Sequence, residues 1–258
     1  MAGYLKKARP KKSALIVGRQ PVAEALQSGR PIDKIFLQKN ASGEIITAIR
    51  EMANRQKIPL QYVPAEKLQA LTSTHHQGVI ALASVVRYYD LQEIISFVTE
   101  QGTVPLFLIL DGITDVRNIG AIARTAVACG AQALIIPDKG VAALQEDAVK
   151  ASAGALEQIF VCRVNSLMKA VDELHLNGIC VYASEMTAQK KVFDCDFTIP
   201  AAFVMGSEDK GVFPALMKIC DDTFRIPMPG DFESLNVSVA AGMILYEAMK
   251  QRMERSGN

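Results

Sequence analysis

Arg124 stands apart among the side chains able to do chemistry. It is the one charged residue between Asn118 and Cys129, in a segment, Asn-Ile-Gly-Ala-Ile-Ala-Arg-Thr-Ala-Val-Ala-Cys, that otherwise reads as an apolar helix. Burying an unpaired guanidinium is very unfavourable, so this arginine either pairs internally or points to a place where an anion arrives. Two later segments offer polar company. Gly206-Ser-Glu-Asp-Lys-Gly211 follows the apolar run Ala201 to Met205, and Ser234-Leu-Asn-Val-Ser238 lies between an apolar strand ending near Met228 and the last helix. Three polar islands, each at the end of a strand, suggest one shared site.

Several common chemistries are excluded by what the chain lacks. It contains neither G-x-G-x-x-G nor G-x-x-x-x-G-K-[ST], so the usual dinucleotide and P-loop phosphate cradles are absent. The histidines are His75, His76 and His175, and no cluster of Cys, His and carboxylate has ligand spacing, so no metal is expected. His75-His76 precede Gln77-Gly78 at the start of a strand, where they serve either a turn, an RNA contact or simply the surface. G-x-S-x-G is absent, which removes the simplest nucleophilic hydrolase. Cysteines at 129, 162, 180, 195 and 220 form no CxxC pair and read as reduced, mostly buried thiols.

The elements that must position the islands follow from apolar spacing. Pro21 to Ser28 reads as a helix, Ile32 to Leu37 as a strand, and Gly43 to Lys57 as a helix with Ile45, Ile46, Ile49, Met52 and Ala53 on one side. Strands at Leu60 to Val63 and Val79 to Val85, with a short helix at Ala65 to Leu71 between them, complete a small α/β domain over residues 14–86. Asp90 with Glu93 starts a linker helix within 87–104. In residues 105–258, strands are expected at Leu106 to Leu110, Ala133 to Ile136, Ile159 to Val164, Ile179 to Ala183, Ala201 to Met205 and Thr223 to Pro227. Helices are expected at Ile119 to Cys129, Ser166 to Leu176, Pro214 to Ile219 and Val237 to Arg252. Short apolar strands with crossover helices imply a parallel sheet covered on both faces, whose ligands bind beyond the carboxyl ends of the strands. The three islands lie there.

Charge is segregated along the chain. Residues 1–86 hold 13 Lys and Arg against 5 Asp and Glu, a net of +8, whereas residues 87–258 hold 15 against 22, a net of −7. A basic N-terminal part suits a polyanion such as RNA, helped by a flexible tail over residues 1–13 with no acidic side chain. No apolar run approaches the length of a membrane span, and charges stand where a signal peptide needs its apolar stretch, so a cytoplasmic protein is expected.

The ordered segments Asn118-Ile-Gly120-Ala-Ile-Ala-Arg124-Thr125-Ala126, Met205-Gly206-Ser-Glu208-Asp-Lys-Gly211 and Ile226-Pro-Met followed by Glu233-Ser234-Leu-Asn236-Val-Ser238 resemble the three motifs of the SpoU (TrmH-type) RNA 2′-O-methyltransferases. Gly18-Arg-Gln-Pro-Val-Ala-Glu-Ala-Leu26 and His76-Gln-Gly-Val79 are similar to the N-terminal substrate-binding domain of the large-subunit ribosomal RNA guanosine methyltransferases in that family, and Lys150-Ala-Ser-Ala-Gly-Ala155 also fits. The resemblance covers roughly residues 15–252. Asp209 occupies a position where relatives often carry glycine.

The resemblance implies a SPOUT fold: a small N-terminal α/β RNA-binding domain and a C-terminal parallel-sheet domain with a deep trefoil knot, active as a homodimer with the site between subunits. It implies S-adenosylmethionine as methyl donor, held near Gly206, Ile226 and Leu235. A glycine permits close backbone approach, and Ile and Leu can sandwich an adenine. It makes Arg124 the catalytic arginine. A guanidinium keeps its proton above about pH 12, so Arg124 suits binding the phosphate beside the target ribose and stabilising developing negative charge better than accepting a proton. Asn118 either caps its helix or contacts substrate. Glu208 either orients Arg124, binds a ribose or base edge, or is a solvated loop residue. Ser234 and Asn236 either line the RNA and cofactor pockets, or the segment serves capping of the final helix through Ser238 or Asn236. The substrate implied is a guanosine of 23S ribosomal RNA. Transfer RNA is the alternative, and a non-catalytic RNA-binding protein of ribosome assembly is the reading from a different class.

Overall fold

The computed structural model describes residues 15–141, 144, 146–230 and 234–257. The basic tail and Glu233 of the third motif lie outside the described residues. The chain divides into two compact units, the first ending at Arg87 and the second beginning at Tyr88.

The first unit runs β1 (Leu15–Val17), α1 (Arg19–Gln27), β2 (Ile32–Gln38), α2 (Glu44–Arg55), β3 (Leu60–Val63), α3 (Ala65–Leu71), β4 (Val79–Ala83). Its four-stranded sheet has the order β1-β4-β2-β3, with β4 antiparallel to β1 and β2, and β2 parallel to β3. Helix α2 buries Ile46, Ile49 and Ala53, spaced three and four residues apart on one face. Ile45, expected on that face, is exposed, and Met52 is only partly buried, because the buried stripe is narrower than the apolar pattern.

The second unit runs β5 (Tyr88–Tyr89), α4 (Leu91–Glu100), β6 (Leu106–Leu110), α5 (Val116–Ala128), β7 (Ala133–Pro137), α6 (Glu146–Ala151), β8 (Phe160–Val164), α7 (Leu167–Leu176), β9 (Cys180–Ser184), β10 (Lys190–Lys191), β11 (Ala201–Met205), α8 (Pro214–Met217), β12 (Asp222–Arg225), α9 (Val237–Ser256). The strands form one sheet in the order β10-β12-β9-β11-β6-β7-β8-β5, and every pair is parallel. All five residues of β6 (Leu-Phe-Leu-Ile-Leu) and of β11 (Ala-Ala-Phe-Val-Met) are buried, as central parallel strands covered on both faces require. Asp90 and Ser166 cap α4 and α7 by accepting from the Glu93 and Lys169 N–H groups.

The expected linker helix is instead part of this core. Strand β5 pairs with β8, and α4 buries Leu91, Ile94, Ile95 and Val98 among residues of β6, β7 and β9. Strands β1, β5 and β10 escaped the sequence pattern because two or three residues carry no periodicity, and β10 is two exposed lysines. The five thiols are free, with Cys162 and Cys195 buried. Burial pushes the Cys220 thiol up to about 12 and raises that of Cys162 further. Among the described residues no helix is long and apolar enough to cross a membrane.

Glycine in α5 allows a close helix contact. A Cβ on Gly120 would lie 2.6 Å from the Ala151 Cβ and 2.8 Å from the Ala148 carbonyl oxygen, so α6 packs directly on the α5 backbone. At the other end of the sheet, Arg252 fastens α9. Its guanidinium donates to the carbonyl oxygens of Phe197 (2.8 Å), Val104 (2.9 Å), Pro105 (2.9 Å) and Ile199 (2.8 Å), the segments that lead into β6 and β11. Burial pushes its pKa down to about 10, still high enough to keep it charged at neutral pH. Arg252→Met keeps much of the volume and removes all four donors. It should lower unfolding stability by about 2–4 kcal/mol with an unchanged denaturant slope, read from urea titrations.

Candidate active site

Strands β6, β11 and β12 are parallel members of one sheet, so the segments that leave them, residues 111–115, 206–213 and 226–236, start from its carboxyl edge. Each carries part of the site or of its support. Asp115 caps α5 by accepting from the Arg117 N–H at 2.8 Å, and the Arg117 guanidinium beside it holds the Asp115 carboxyl below the usual carboxylate range. The cap of α5 therefore lies three residues before Asn118, which leaves the Asn118 amide free of capping. It donates to Glu208 Oε1 at 2.9 Å.

The same oxygen of Glu208 accepts from Asn236 Nδ2 at 2.6 Å and from the Val237 N–H at 3.3 Å. Asn236 Nδ2 also reaches Asn118 Oδ1 at 3.2 Å. Asn236 is the cap of α9, its Oδ1 accepting from the N–H groups of Ser238 (3.0 Å) and Val239 (3.4 Å) and from Ser238 Oγ (2.5 Å). Capping thus fixes the amide, because an oxygen committed to helix N–H groups leaves the nitrogen facing the carboxylate. Asn236 thus caps α9 and holds Glu208 at once. The second carboxylate oxygen of Glu208 has no partner among the described residues, and the residue is exposed, so it is available to a hydroxyl of a bound molecule.

The glycine-flanked loop that presents Glu208 is closed by its own backbone. A Cβ on Gly206 would lie 2.0 Å from the Gly211 carbonyl carbon and 2.2 Å from the Val212 nitrogen. The missing Cβ thus admits the chain's own backbone. Gly211 N–H donates to the Ser207 carbonyl at 2.8 Å, and Gly211 takes the positive φ of 66°. Asp209 takes no left-handed conformation, so an aspartate is accommodated there. Asp111, which sequence reasoning missed, clamps the loop: its carboxylate accepts from the Phe213 N–H at 2.7 Å and its own N–H donates to the Met205 carbonyl at 2.9 Å. The signal was an acid set directly between an all-apolar strand and a glycine.

The other expected residues are placed differently. Arg124 is exposed, not buried, since α5 turns Arg117, Arg124 and Ala128 outwards while Ile119, Gly120, Ile122, Ala123 and Ala126 face the core. Six residues after Asn118, it lies about 120° round the helix from it. No hydrogen bond or ion pair joins it to Glu208 or to any other described residue, so Glu208 does not orient it within the chain. Ser234 is exposed and makes no side-chain hydrogen bond among the described residues. Ile226 and Leu235 are half-buried. Among the described residues no group of three His, Cys, Asp or Glu side chains converges as a metal site.

Residues 105–246 match the SpoU rRNA Methylase family, and residues 15–89 match the RNA 2′-O ribose methyltransferase substrate binding family. A Bacillus subtilis (strain 168) protein assigned to the TrmH family of tRNA/rRNA methyltransferases is 36% identical over 237 residues, covering 92% of this chain and 95% of that protein. The crystal structure of the SpoU methyltransferase AviRb from Streptomyces viridochromogenes in complex with AdoMet is similar at a TM-score of 0.60 and 28% identity, over 94% of this chain and 92% of that one. The A. aeolicus TrmH/SpoU tRNA modifying enzyme is similar at a TM-score of 0.56 and 30% identity, over 64% of this chain and 86% of that one.

The bonds among Asn118, Glu208 and Asn236 make them one energetic unit. In a double-mutant cycle on Asn118→Ala and Glu208→Ala, urea unfolding should reveal a coupling of about 0.5–1 kcal/mol. Strict additivity would mean that the contact contributes nothing in solution.

Proposed function

The chain belongs to the SpoU rRNA methylase family, and on that premise we propose that it methylates the 2′-oxygen of a guanosine ribose in 23S ribosomal RNA. It is an RNA methyltransferase that uses S-adenosylmethionine. The observation that carries the reading of the site is Glu208, held by Asn118 and Asn236 on one oxygen and free on the other.

The residues present fit the cofactor. Ile226 and Leu235 offer half-buried apolar side chains, and residues 226–230 and 234–235 belong to no helix or strand, so their main-chain groups are not committed to a ladder. These segments, with Gly206 and its loop, would hold the adenosine and methionine portions. When bound, the cofactor supplies an electrophilic methyl group on a sulfonium. The protein must orient the ribose hydroxyl and favour loss of its proton. The free Glu208 oxygen accepts a hydrogen bond from the ribose, and the exposed Ser234 hydroxyl is offered as a further polar contact for the bound molecules. Arg124 binds the adjacent phosphate through its guanidinium fork and stabilises charge developing on the 2′-oxygen, while the proton leaves to that phosphate or to water.

An exposed Arg124 turned away from Asn118 suits a site shared between two chains. The outer face of α9 supports a homodimer: Val239, Met243, Tyr246 and Met253, at helical spacing, are each 45–60% exposed. The trefoil knot of SPOUT proteins belongs to the same proposal. Its support is the strand order, in which β11 enters between β6 and β9, and β12 then lies beyond β9. The reading places the enzyme in the cytoplasm, where it meets ribosomal RNA.

Incubation with labelled S-adenosylmethionine and separated ribosomal and transfer RNA, followed by mapping of the modified nucleotide, tests the substrate. Label is expected at a guanosine 2′-oxygen of 23S RNA, and label confined to transfer RNA or to base nitrogens would overturn the assignment. Arg124→Lys keeps the charge and loses the fork, and should lower kcat roughly 100-fold; near-normal turnover would remove the proposed role. Arg124→Ala and Glu208→Ala should each be nearly inactive alone. Co-expressed, they should recover roughly a quarter of wild-type activity, because random pairing makes half the dimers mixed and each mixed dimer holds one complete site.

A further inference from the structure

Two sequence segments singled out above, Gly18-Arg19 and His76-Gln77-Gly78, have no part in the cluster around Glu208, yet they meet in the first unit. The carboxyl ends of β1, β2 and β3 and the amino end of β4 share one edge of its sheet, because Val17 pairs with Ile80, Leu37 with Val79 and Gln38 with Val63. Across that edge the Arg19 N–H donates to Gln77 Oε1 at 3.1 Å, and Arg19 Nε donates to the Gln77 carbonyl at 3.0 Å. A main-chain carbonyl 58 residues away in sequence thus fixes the guanidinium by its Nε.

The remaining guanidinium nitrogens are left over. Neither terminal nitrogen of Arg19 has a hydrogen-bond or ion-pair partner among the described residues, and Nη1 lies 3.3 Å from the position a Cβ would take on Gly43. Glycine at 43, with φ of 111°, keeps that approach open. Gln77 holds a left-handed backbone conformation, φ 51°, rare for a residue with a side chain and maintained here by its two bonds to Arg19. His76 Nδ1 accepts from the Gly78 N–H at 3.0 Å, which makes its Nε2 the donor in the neutral ring. Lys39 and Asn40, directly after β2, are exposed, as are His75 and Gln77. In the segments 18–20, 39–44 and 72–78 the one carboxylate is Glu44, against Arg19, Lys39 and two histidines.

A guanidinium held by one nitrogen, with its fork free and few carboxylates nearby, is organised for an oxyanion before one arrives. We propose that this edge, with Arg19 as its fixed charge, Lys39 as a second exposed cation and the His76 Nε2–H as a further donor, binds the phosphodiester backbone of the RNA substrate. The inference rests on the methyltransferase reading and assigns the contact to named residues of the first unit.

The test uses the full chain and the RNA that the wild-type protein methylates. Arg19→Met should raise KM for RNA roughly tenfold and make the slope of log affinity against log salt shallower by about 1, with kcat at saturating RNA and the Kd for S-adenosylmethionine unchanged. Arg19→Met also loses the bond from Nε to Gln77, so Lys39→Ala provides a second reading. Its side chain makes no hydrogen bond among the described residues, and it should reduce the salt slope by about 1 without changing Tm. A wild-type slope and KM in either variant would overturn the inference while leaving methyl transfer intact. Absence of methylation by the wild-type protein would instead count against the functional reading on which it rests.

Discussion

One carboxylate oxygen organises the site. Glu208 Oε1 receives donors from Asn118 and Asn236, 90 residues earlier and 28 residues later in the chain, so three segments that leave three strands converge on an atom with room for few partners. Charged acceptors make shorter and stronger hydrogen bonds than neutral ones, and the 2.6 Å contact with Asn236 is of that kind. The geometry leaves each amide one self-consistent orientation. It also leaves the carboxylate half used, with its other oxygen open to a bound molecule.

That contact depends on support from both ends of the sheet. On the carboxyl side, the loop carrying Glu208 is closed over Gly206 and clamped by Asp111, so the carboxylate is offered from a fixed base although its side chain is exposed. On the amino side, Arg252 ties the far part of α9 to the segments that lead into β6 and β11. Asn236 caps the near end of the same helix. An element fastened at both ends has little freedom to translate along its axis, and translation of α9 would move Asn236 away from Glu208.

Much of this was legible in sequence, and the failures have physical causes. The apolar strands β6 and β11 matched their expected limits because buried parallel strands are written as unbroken apolar runs. The three polar islands do come together in Asn118, Glu208 and Asn236. Of the two placements open to Arg124, internal pairing or an outward position where an anion arrives, the structure has the outward one: alanine is small and tolerated outside, so a helix of alanine and isoleucine with one arginine need not bury the arginine. At Gly206 the missing Cβ admits the backbone of Gly211 and Val212, a neighbour that a glycine in the sequence signals without naming. Asn118 was ambiguous between cap and ligand until Asp115 was seen to take the capping role.

Charge segregation can now be reconciled with an RNA substrate. A net of −7 over residues 87–258 would oppose a polyanion if the whole unit acted as one charge, but at physiological ionic strength exposed charges more than about 8 Å apart are largely screened. What a phosphate meets is therefore local. Near the carboxyl edge, the Glu208 charge is partly compensated by two amide donors and a backbone N–H, whereas Arg124 has no partner among the described residues and keeps its full attraction. In the first unit, where basic residues outnumber acidic ones, attraction persists over several neighbouring side chains and suits binding along a backbone. On the proposed function, a division of labour follows from the distribution of charge: affinity that falls with salt would come from the basic segment, and alignment of one ribose from a few fixed groups in the acidic one.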